Sequence, residues 1–520
     1  MNDERPPSLW WGMWKRFFLA GILIVALSGA ATATVALNKL TTLADEVFPQ
    51  LSHINAPKGL ITPEYGGGPQ TFLILGSDRR AGSKNIEERE SAPHSDTILL
   101  VRFDPEQGQT SVLSIPRDLM VNIRTPSGQV YEGQKINAAY TIGSKFGGAN
   151  GASVLAAETI VREVFPELQG KLNGIIDVNF AGFIKVVDAL GCAYVNVDHR
   201  YLHLKGESNE EYTEINLEPG YQKLCYENAL DYVRYRHTDS DFVRVARQQD
   251  FLRDLREQID PANELGQIDT VAKAVGRAIR TNFPSTPEEL VLLSKLIAFS
   301  QSKPLRQVKF LASNVDYQPA GGGDYVTSNA ELEKETLDRF LYGKEQLALP
   351  ASGSSTRHRP SHNHHSSHHG SGFSPAALNL VQTTSAGESE LVQAAPEVPF
   401  PVLYPTLQTG QSEQQQVRAY PLKNQQNVRH HAYIIVWAQN ATLGGYYDFE
   451  GSDWLNPPLF AHARTQVIDR VTYEFVDDGS HIHVIGWRAG NVLYWLTNTL
   501  LEELSNSQML AIAKSAQPLH

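Results

Sequence analysis

The apolar segment 17–37 constrains this chain more than any other stretch of its sequence. "FFLAGILIVALSGAATATVAL" carries no charged residue, and about 21 helical residues are enough to cross the hydrocarbon core of a bilayer. Lys15 and Arg16 directly precede it and predict a cytoplasmic N-terminus, residues 1–16. A cleaved signal peptide is the alternative, because "ATATVA" offers small residues of the kind found at cleavage sites. We therefore expect a single-pass cell-membrane protein whose main domains are extracytoplasmic.

Composition limits the function of the exported part. The 520 residues carry a formal net charge of -12, with 41% hydrophobic and 20% charged residues, which is ordinary for a globular chain of several domains. The acidic balance argues against a nucleic-acid partner, whose phosphates require a basic surface. The only two cysteines are Cys192 and Cys225, and in an exported domain a disulfide is favoured over free thiols or a metal site.

Strand and helix patterns alternate after a tether at residues 38–70. "TFLILG", "DTILLVRFD" and "TSVLSIP" are typical of strands, and their continuous apolar character indicates a sheet covered on both faces. "GGANGASVLAAETIVREVF" and "NFAGFIKVVDALG" have helical patterns, as do "PANELGQIDTVAKAVGRAIRTNF" and "TPEELVLLSKLIAFSQS". The sequence therefore predicts a three-layer α/β domain with a central mixed sheet over residues 71–343.

Two further regions follow this domain. Residues 344–412 are rich in Ser, His and Pro and predict a flexible linker; its "RHRPSHNHHSSHHG" could bind Zn or Ni weakly, but the irregular spacing favours a solvated linker. Residues 413–520 predict a small α+β domain. Its strands would be "HAYIIVWAQN", "VTYEFVDD" and "HIHVIGWR", and "NVLYWLTNTLLEELSNSQMLAIAKSA" would form one or two closing helices. We interpret it as an accessory binding module for a wall polymer or another protein.

Charged residues stand at the ends of three predicted strands. Asp78 follows one strand in "LGSDRR", Asp96 precedes another in "HSDTILL", and Arg117 follows a third in "SIPRDL". Ligands of α/β sheets usually bind at strand ends, and two carboxylates suit a hard cation such as Mg²⁺. Each aspartate alone is more often a turn or cap residue.

A local concentration of positive charge stands out in "YVRYRHTDSDFVRVARQQ", residues 232–249. A strand over Tyr232–Arg236 would place Arg234 and Arg236 on the same face. A helix beginning near Asp239 or Asp241 would gather four further residues on one stripe, namely Asp241, Arg244, Arg247 and Gln248. The alternative is a solvated helix face with internal Asp–Arg pairs.

Six ordered motifs together resemble the LytR-CpsA-Psr family of cell-wall glycopolymer transferases. They are "LGSDRR", "SDTILL", "SIPRDL", "KINAAY", "DVNFAGFIKVVDALG" and "YVRYRHTDSDFVRVARQQ", and they cover about residues 71–255. The resemblance implies an extracytoplasmic α/β domain that binds a polyprenyl-pyrophosphate-linked glycan. It also implies transfer of the glycosyl phosphate to a peptidoglycan hydroxyl, so both molecules are expected partners.

The same resemblance implies roles for individual residues. Asp78 and Asp96 match the family's Mg²⁺ ligands, and Arg117, Arg234 and Arg236 match its pyrophosphate-binding arginines. We assign Asp241 as the candidate general base, with Asp239 second and a metal-organised reaction without a base as the alternative. The expected substrate-binding residues are Lys135, Phe180, Phe183, Val187, Arg244, Arg247 and Gln248. The three apolar ones would line a slot for the lipid, or would simply pack in the core.

Two positions depart from the family pattern, and other functions stay open. Cys192 and Tyr226 stand where the family commonly has Gly, and both changes affect turns rather than charged residues. The same site would suit a polyprenyl-pyrophosphate hydrolase that uses water as the acceptor. Further alternatives are a non-catalytic lipid-glycan receptor and a regulatory envelope protein. A regulator that binds DNA in the cytoplasm is not expected, because the segment before Lys15 is too short for a DNA-binding domain.

Overall fold

The computed structural model describes most of the chain beyond residue 51. The described residues are 52–62, 67–78, 93–203, 214–235, 241–258, 279–282, 305–319, 324–343, 375–383, 388–440 and 445–519, with isolated positions between 289 and 299. Among the helices in these ranges, none combines the length and the apolar character needed to cross a bilayer. The predicted membrane segment 17–37 and the histidine-rich stretch lie outside the described residues.

The first domain is built around one sheet. Its strands are β1 Ser52–His53, β2 Gln70–Ser77, β3 Ser95–Asp104, β4 Gln109–Ser114, β5 Met120–Arg124, β6 Val130–Lys135, β7 Gly174–Asn179, β8 Ala193–Val197, β9 Tyr201–His203, β10 Ile215–Leu217, β11 Gly220–Leu224, β12 Ile279–Thr281, β13 Leu305–Val308, β14 Asn314–Tyr317 and β15 Tyr325–Thr327. Its helices are α1 Ala138–Thr159, α2 Phe180–Ala189, α3 Tyr226–Arg234, α4 Asp241–Glu257 and α5 Ala330–Tyr342.

The central sheet is mixed, as the sequence predicts. Its strand order is β1-β12-β7-β2-β3-β4-β13, with β2 parallel to β7 and antiparallel to β3. Successive side chains of a strand point to opposite faces. Leu73 and Leu75 accordingly join the core under α1 and α5, whereas Phe72 packs on the other face against Leu292 and Leu296. Both faces of the sheet are therefore covered, and this explains why the sequences of these strands are continuously apolar.

Helix α1 folds back on itself at a pair of glycines. Gly147 and Gly148 leave the helical φ/ψ region, and Gly148 has a φ of 56°, which glycine adopts without a steric cost. The two arms then approach closely, so a Cβ at Gly143 would lie 2.3 Å from the carbonyl oxygen of Gly151. Both arms contribute to the same core, Tyr140 from the first and Leu155 from the second.

Two secondary-structure predictions for this domain are wrong. Tyr232–Arg234, the described start of the predicted strand Tyr232–Arg236, is the end of a helix, because Tyr226–Arg234 buries Ala229, Leu230 and Val233 at helical spacing. The end of the stretch predicted to be helical, Ile279–Thr281, forms β12 between β1 and β7. The helix predicted to begin near Asp239 or Asp241 is confirmed as α4.

The predicted disulfide is confirmed and joins β8 to α3. Cys192 and Cys225 are bonded, with their Cα atoms 4.8 Å apart. Cys192 has a φ of 72° and Tyr226 a φ of 49°, a left-handed conformation that glycine tolerates best. The two departures from the family pattern therefore fall on backbone positions that favour glycine, and one of them is held by the disulfide.

The second domain begins before the predicted boundary at residue 413. Its strands are β16 Leu380–Gln382, β17 Leu403–Pro405, β18 Leu407–Thr409, β19 Glu413–Lys423, β20 Arg429–Asn440, β21 Gly445–Ser452, β22 Arg464–Ile468, β23 Val471–Asp478, β24 His481–Ala489, β25 Val492–Thr497 and β26 Ala516–Pro518, and its helices are α6 Glu388–Ala394 and α7 Asn506–Lys514. β16 pairs with β18, and β17 with β26. Residues 375–383 and 388–412, which lie in the region predicted to be a linker, therefore form part of this domain.

An antiparallel sheet of order β19-β20-β21-β25-β24-β23-β22 forms the body of the second domain. The prediction of helix at the start of "NVLYWLTNTLLEELSNSQMLAIAKSA" is wrong, because Val492–Thr497 is a strand buried at every position in the middle of this sheet. Only Asn506–Lys514 of that stretch is an α-helix, and Ser505 and Gln508 form a capping box at its start.

The two domains pack against each other through the β8–β11 hairpin. Tyr194 and Tyr221 of the first domain join an apolar cluster with Trp454 and Trp495 of the second. The Tyr194 hydroxyl donates to the carbonyl oxygen of Lys423 at 2.8 Å. The two domains therefore share a continuous buried surface.

Candidate active site

A polar cleft of about 450 Å³ lies at the edge of the central sheet. It is lined by Asp78, His94, Asp96, Arg117, Asp118, Gln134, Lys135, Asn137, Ala138 and Tyr325. The residues come from the end of β2, the start of β3, the loop after β4, the end of β6 and the start of α1 and β15. The predicted gathering of Asp78, Asp96 and Arg117 at strand ends is therefore confirmed.

Asp78 is half-buried directly after β2. Its Oδ1 accepts a hydrogen bond from the backbone N–H of His94 at 2.6 Å, and its Oδ2 lies 3.9 Å from Nδ1 of the same histidine. Burial raises the pKa of Asp78, and the negative charge of Asp96 adds to this, against the opposing effects of His94 and Arg234. The two carboxylates thus repel each other across the cleft.

Asp96 is ionised and held by arginine. Nη1 of Arg117 donates to Oδ1 of Asp96 at 2.6 Å. Burial opposes ionisation of Asp96, but the charges of Arg117 and Arg244 together hold its pKa below the usual value. Arg244, 3% exposed on α4, therefore acts on Asp96 through its charge, although it is not among the residues that line the cleft.

Asp118 and Lys135 form an ion pair in the wall of the same cleft. Nζ of Lys135 lies 2.7 Å from Oδ1 of Asp118 and 5.2 Å from the ring centroid of Tyr325. Asp118 also lies 3.5 Å from Nε of Arg117. This places two cations and one carboxylate in a connected network, with charge-assisted contacts that fix their orientation.

Arg234 reaches the same region from the end of α3. Its guanidinium lies 4.0 Å above the ring centroid of Phe180 at the start of α2, a cation–π geometry, and its charge acts on Asp78. Arg236 and Asp239 lie outside the described residues, as does the side chain of Asp241. Arg234 is positioned by helix α3 and not by the predicted strand, because Tyr226–Arg234 is helical.

Of the seven predicted substrate-binding residues, Lys135 alone is among the residues that line the described cleft, and Arg247 and Gln248 are buried elsewhere. Arg247 is 0% exposed; its Nη1 donates to the carbonyl oxygen of Tyr235 at 2.7 Å, and its Nε to the Tyr201 hydroxyl at 3.1 Å. Gln248 is buried and donates to the carbonyl oxygen of Val233 at 3.0 Å. Both therefore satisfy polar groups around the end of α3, and their role is to hold the segment that carries Arg234.

The apolar residues of α2 divide between two environments. Val187 is 1% exposed and packs in a core cluster, with Phe183 against its edge. The Phe183 ring also lies 5.6 Å from the Phe251 ring. Core packing, which was the alternative to a lipid slot, accounts for Val187. Phe180 and Phe183 keep part of their surface exposed.

Several cleft residues were missed by sequence reasoning. Asp118 is adjacent to Arg117, and Asn137 lies in the motif "KINAAY", so both had a local signal. His94 supplies a backbone donor and stands two residues before Asp96 in the sequence. Tyr325 has no signal in the sequence, because the contact with Lys135 joins segments that are far apart along the chain.

The fold and the cleft define an α/β protein with a charged cleft in which basic side chains are paired with aspartates. Within the described residues, no group of three or more His, Cys, Asp or Glu side chains is arranged to hold a metal ion. The LytR_cpsA_psr family model matches residues 37–339, which is more than half of the chain, and the chain belongs to this family.

Individual relatives are distant. An uncharacterized protein of Staphylococcus aureus is 28% identical over 232 residues, which cover 44% of this chain and 51% of that protein, so the chain spans about half the length of this relative. The polyisoprenyl-teichoic acid–peptidoglycan teichoic acid transferase TagV of Bacillus subtilis is 27% identical over 330 residues, covering 62% of this chain and 77% of that protein. The crystal structure of B. subtilis TagV has a TM-score of 0.41 at 25% identity, covering 52% of this chain and 96% of that one.

Proposed function

We propose that this protein is a membrane-anchored, extracytoplasmic transferase. It would move a glycosyl phosphate from a polyprenyl-pyrophosphate-linked glycopolymer to a peptidoglycan hydroxyl. The observation that carries the proposal is the cleft itself, in which Nη1 of Arg117 donates to Asp96 at 2.6 Å and Asp78 and Lys135 line the same space. The charge of Arg234 also acts on Asp78. The family membership and the activity for which the B. subtilis relative TagV is named agree with it.

The basic side chains supply the binding of the pyrophosphate. Guanidinium groups present paired donors that match phosphate oxygens and stay charged at any physiological pH. Arg117 and Lys135 are each restrained by a carboxylate, and Arg234 by the Phe180 ring. Because these donors are oriented before the substrate arrives, little free energy is spent on ordering them.

The aspartate pair fits a hard divalent cation such as Mg²⁺. Burial and the charge of Asp96 raise the pKa of Asp78, and a cation would remove the repulsion that raises it. Asp78 and Asp96 would hold the ion, which supplies charge neutralisation at the phosphate oxygens when bound. Binding of Mn²⁺ as a spectroscopic substitute, followed by electron paramagnetic resonance, should be lost in Asp78→Ala and in Asp96→Ala.

The transfer replaces the phosphoanhydride bond of the pyrophosphate by a phosphate ester bond to the acceptor. The acceptor hydroxyl oxygen bonds to the phosphorus that carries the glycan, and the bond from this phosphorus to the bridging oxygen breaks. The bridging oxygen leaves with its electron pair as part of polyprenyl phosphate, and the hydroxyl proton passes to a base. We assign this base to Asp241, at the first position of α4, with Asp239 as the second candidate.

The proposed location is the outer face of the cell membrane, with segment 17–37 as the anchor. The Cys192–Cys225 disulfide supports an oxidising compartment. A reporter enzyme that is active only outside the membrane, fused after residue 520, should be active in cells. The intact mass of the purified protein distinguishes an anchor from a cleaved signal peptide.

The activity is tested with the full chain in detergent, a labelled polyprenyl-pyrophosphate-linked glycan and a peptidoglycan oligomer. The expected products are acceptor-linked glycan phosphate and polyprenyl monophosphate, and Asp96→Ala or Arg117→Ala should lower the rate by about a hundredfold or more. Asp338→Ala is the matched control, since Asp338 is exposed on α5 and pairs only with Lys334 among the contacts described. Full transfer by both the Asp78→Ala and the Asp96→Ala protein would contradict the proposal.

The competing function is hydrolysis, with water as the acceptor. The same groups would bind the pyrophosphate, so the product distinguishes the two reactions. Release of free glycan phosphate at an equal rate with and without peptidoglycan would identify a hydrolase. Binding of the lipid-linked glycan without any turnover would identify a receptor.

A further inference from the structure

Helix α4 contacts both domains through different faces. Arg244 lies on the face that acts on Asp96, and Arg247 and Gln248 bind the end of α3. A second stripe along the same helix faces the C-terminal domain. Its members follow helical spacings of three and four, and they are Val243, Ala246, Asp250, Arg253 and Glu257.

The first part of this second stripe is an apolar contact. Val243 and Ala246 form a cluster with Leu500, and Leu501 packs against it. Val243 is 0% exposed and is the immediate neighbour of Arg244 in the sequence. The loop after β25 of the C-terminal domain therefore covers the helix one residue away from the arginine that acts on the cleft.

The second part of the stripe is polar. Asp250 lies 2.8 Å from Nη2 of Arg253 and 3.6 Å from Nε2 of His483 on β24. Nδ1 of the same histidine lies 2.6 Å from Glu502. Further along the helix, His462 pairs with Glu257. The contact therefore runs nearly the whole length of α4 and combines packing with oriented charge pairs.

We propose that the C-terminal domain is a positioning element of the active site, in which Leu500 and His483 hold α4 so that the charge of Arg244 stays within range of Asp96. The functional part of this inference rests on the proposed transferase activity. An anion-binding site loses much of its effect when a charge moves by about 1 Å. The contact from the C-terminal domain restrains α4 along the stripe from Val243 to Glu257, where Leu500 and Leu501 pack against Val243 and Ala246.

The test compares Leu500→Ala with Val467→Ala in the full chain. Val467 is a matched apolar residue of the same domain, 68% exposed on β22, and its change should leave both transfer and structure as they are. In Leu500→Ala, turnover at saturating substrate should fall by about tenfold. Amide hydrogen exchange within residues 241–250 should become faster by about tenfold or more, because the helix loses part of its cover.

A double-mutant cycle tests whether the effect passes through Arg244. If the C-terminal domain acts by positioning this side chain, Leu500→Ala should cause little further loss of turnover in an Arg244→Ala background. Losses that multiply would show a general effect on the fold and would overturn the positioning role. His483→Gln provides the same readouts if Leu500→Ala does not fold.

Failure of the proposed activity can be told apart from failure of this inference. Unchanged exchange within residues 241–250 in both Leu500→Ala and His483→Gln overturns the inference, whatever the enzyme does. Faster amide hydrogen exchange in these variants supports the restraint of α4, whether or not the unmodified protein transfers glycan. If the unmodified protein transfers no glycan, only the proposed transferase activity is contradicted.

Discussion

Glu450 gives the two-domain contact a dependence on pH. This residue is fully buried on β21, where it accepts hydrogen bonds from the Tyr420 hydroxyl and, at 3.2 Å, from the backbone N–H of Tyr221 in the first domain. Asp448 lies two residues earlier on the same face and accepts from Nδ2 of Asn196 at 3.0 Å. Two carboxyl groups thus share one buried region between the domains.

The expected sign follows from the pKa of Glu450. Burial raises this pKa from 4.5 to about 7, although Tyr420, Tyr221 and Arg418 oppose the shift. Burial and the charge of Glu450 also raise the pKa of Asp448. The folded state then holds the proton of Glu450 more tightly than the unfolded state, so the contribution of Glu450 to the free energy of unfolding decreases as the pH rises from about 4.5 to about 7, and this contribution levels off above. Between pH 5 and pH 8 the loss should be roughly 2–3 kcal/mol.

Urea unfolding of the full chain at pH 5, 6, 7 and 8 measures this loss. Trp495 is the strand neighbour of Glu450 on β25, so tryptophan fluorescence follows the relevant contact. Glu450→Gln keeps the acceptor oxygen but removes the titration, and it should flatten the pH dependence by most of that amount. Glu413→Gln, at an exposed position of β19, should keep the full dependence. An unchanged pH dependence in Glu450→Gln would refute the reasoning.

Three further predictions follow from individual contacts. Replacing Cys192 and Cys225 together by Ser should lower the free energy of unfolding by roughly 3–4 kcal/mol, measured by urea unfolding; a change below about 1 kcal/mol would contradict it. Gly220→Ala should destabilise the domain contact by about 1–3 kcal/mol, because Gly220 has a φ of 120° and a Cβ would lie 2.6 Å from the Tyr420 ring; an unchanged melting temperature would argue against this. Arg247→Met should lower the melting temperature and the maximal transfer rate of the folded fraction, since Arg247 holds the segment carrying Arg234; a lowered melting temperature with normal transfer would show a purely structural role.

Local signals explain what could be predicted from the sequence. The apolar runs ending at Gly76 and Asp104 are strands, and "NFAGFIKVVDA" is a helix capped by Asn179, because each pattern is complete within its own segment. The cleft aspartates could be found for the same reason, since they stand at the ends of those strands. Arg117 could be found in the same way, because it follows a third strand. A role for Lys135 could be proposed only after the motifs were compared with those of a family.

Contacts between distant segments explain what could not be predicted. The sequence "YVRYR" is compatible with a strand and with the last turn of a helix. Tyr232–Arg234 is helical because it continues the helix that begins at Tyr226. Val492–Thr497 is apolar on both faces because it lies between β21 and β24, which periodicity alone cannot distinguish from a buried helix. The role of Arg247 depends on Tyr201 and Tyr235, whose approach only the tertiary structure shows.

The shared surface between the domains has a consequence for how this chain can be divided. The family match ends at residue 339, and a truncated chain ending there would retain every residue of the cleft. It would also expose Tyr194, Tyr221 and Val243, which the second domain now covers. An apolar patch of this kind promotes self-association, so such a fragment should aggregate at concentrations where the full chain stays monodisperse. Loss of the second domain during evolution would require polar substitutions at the same three positions.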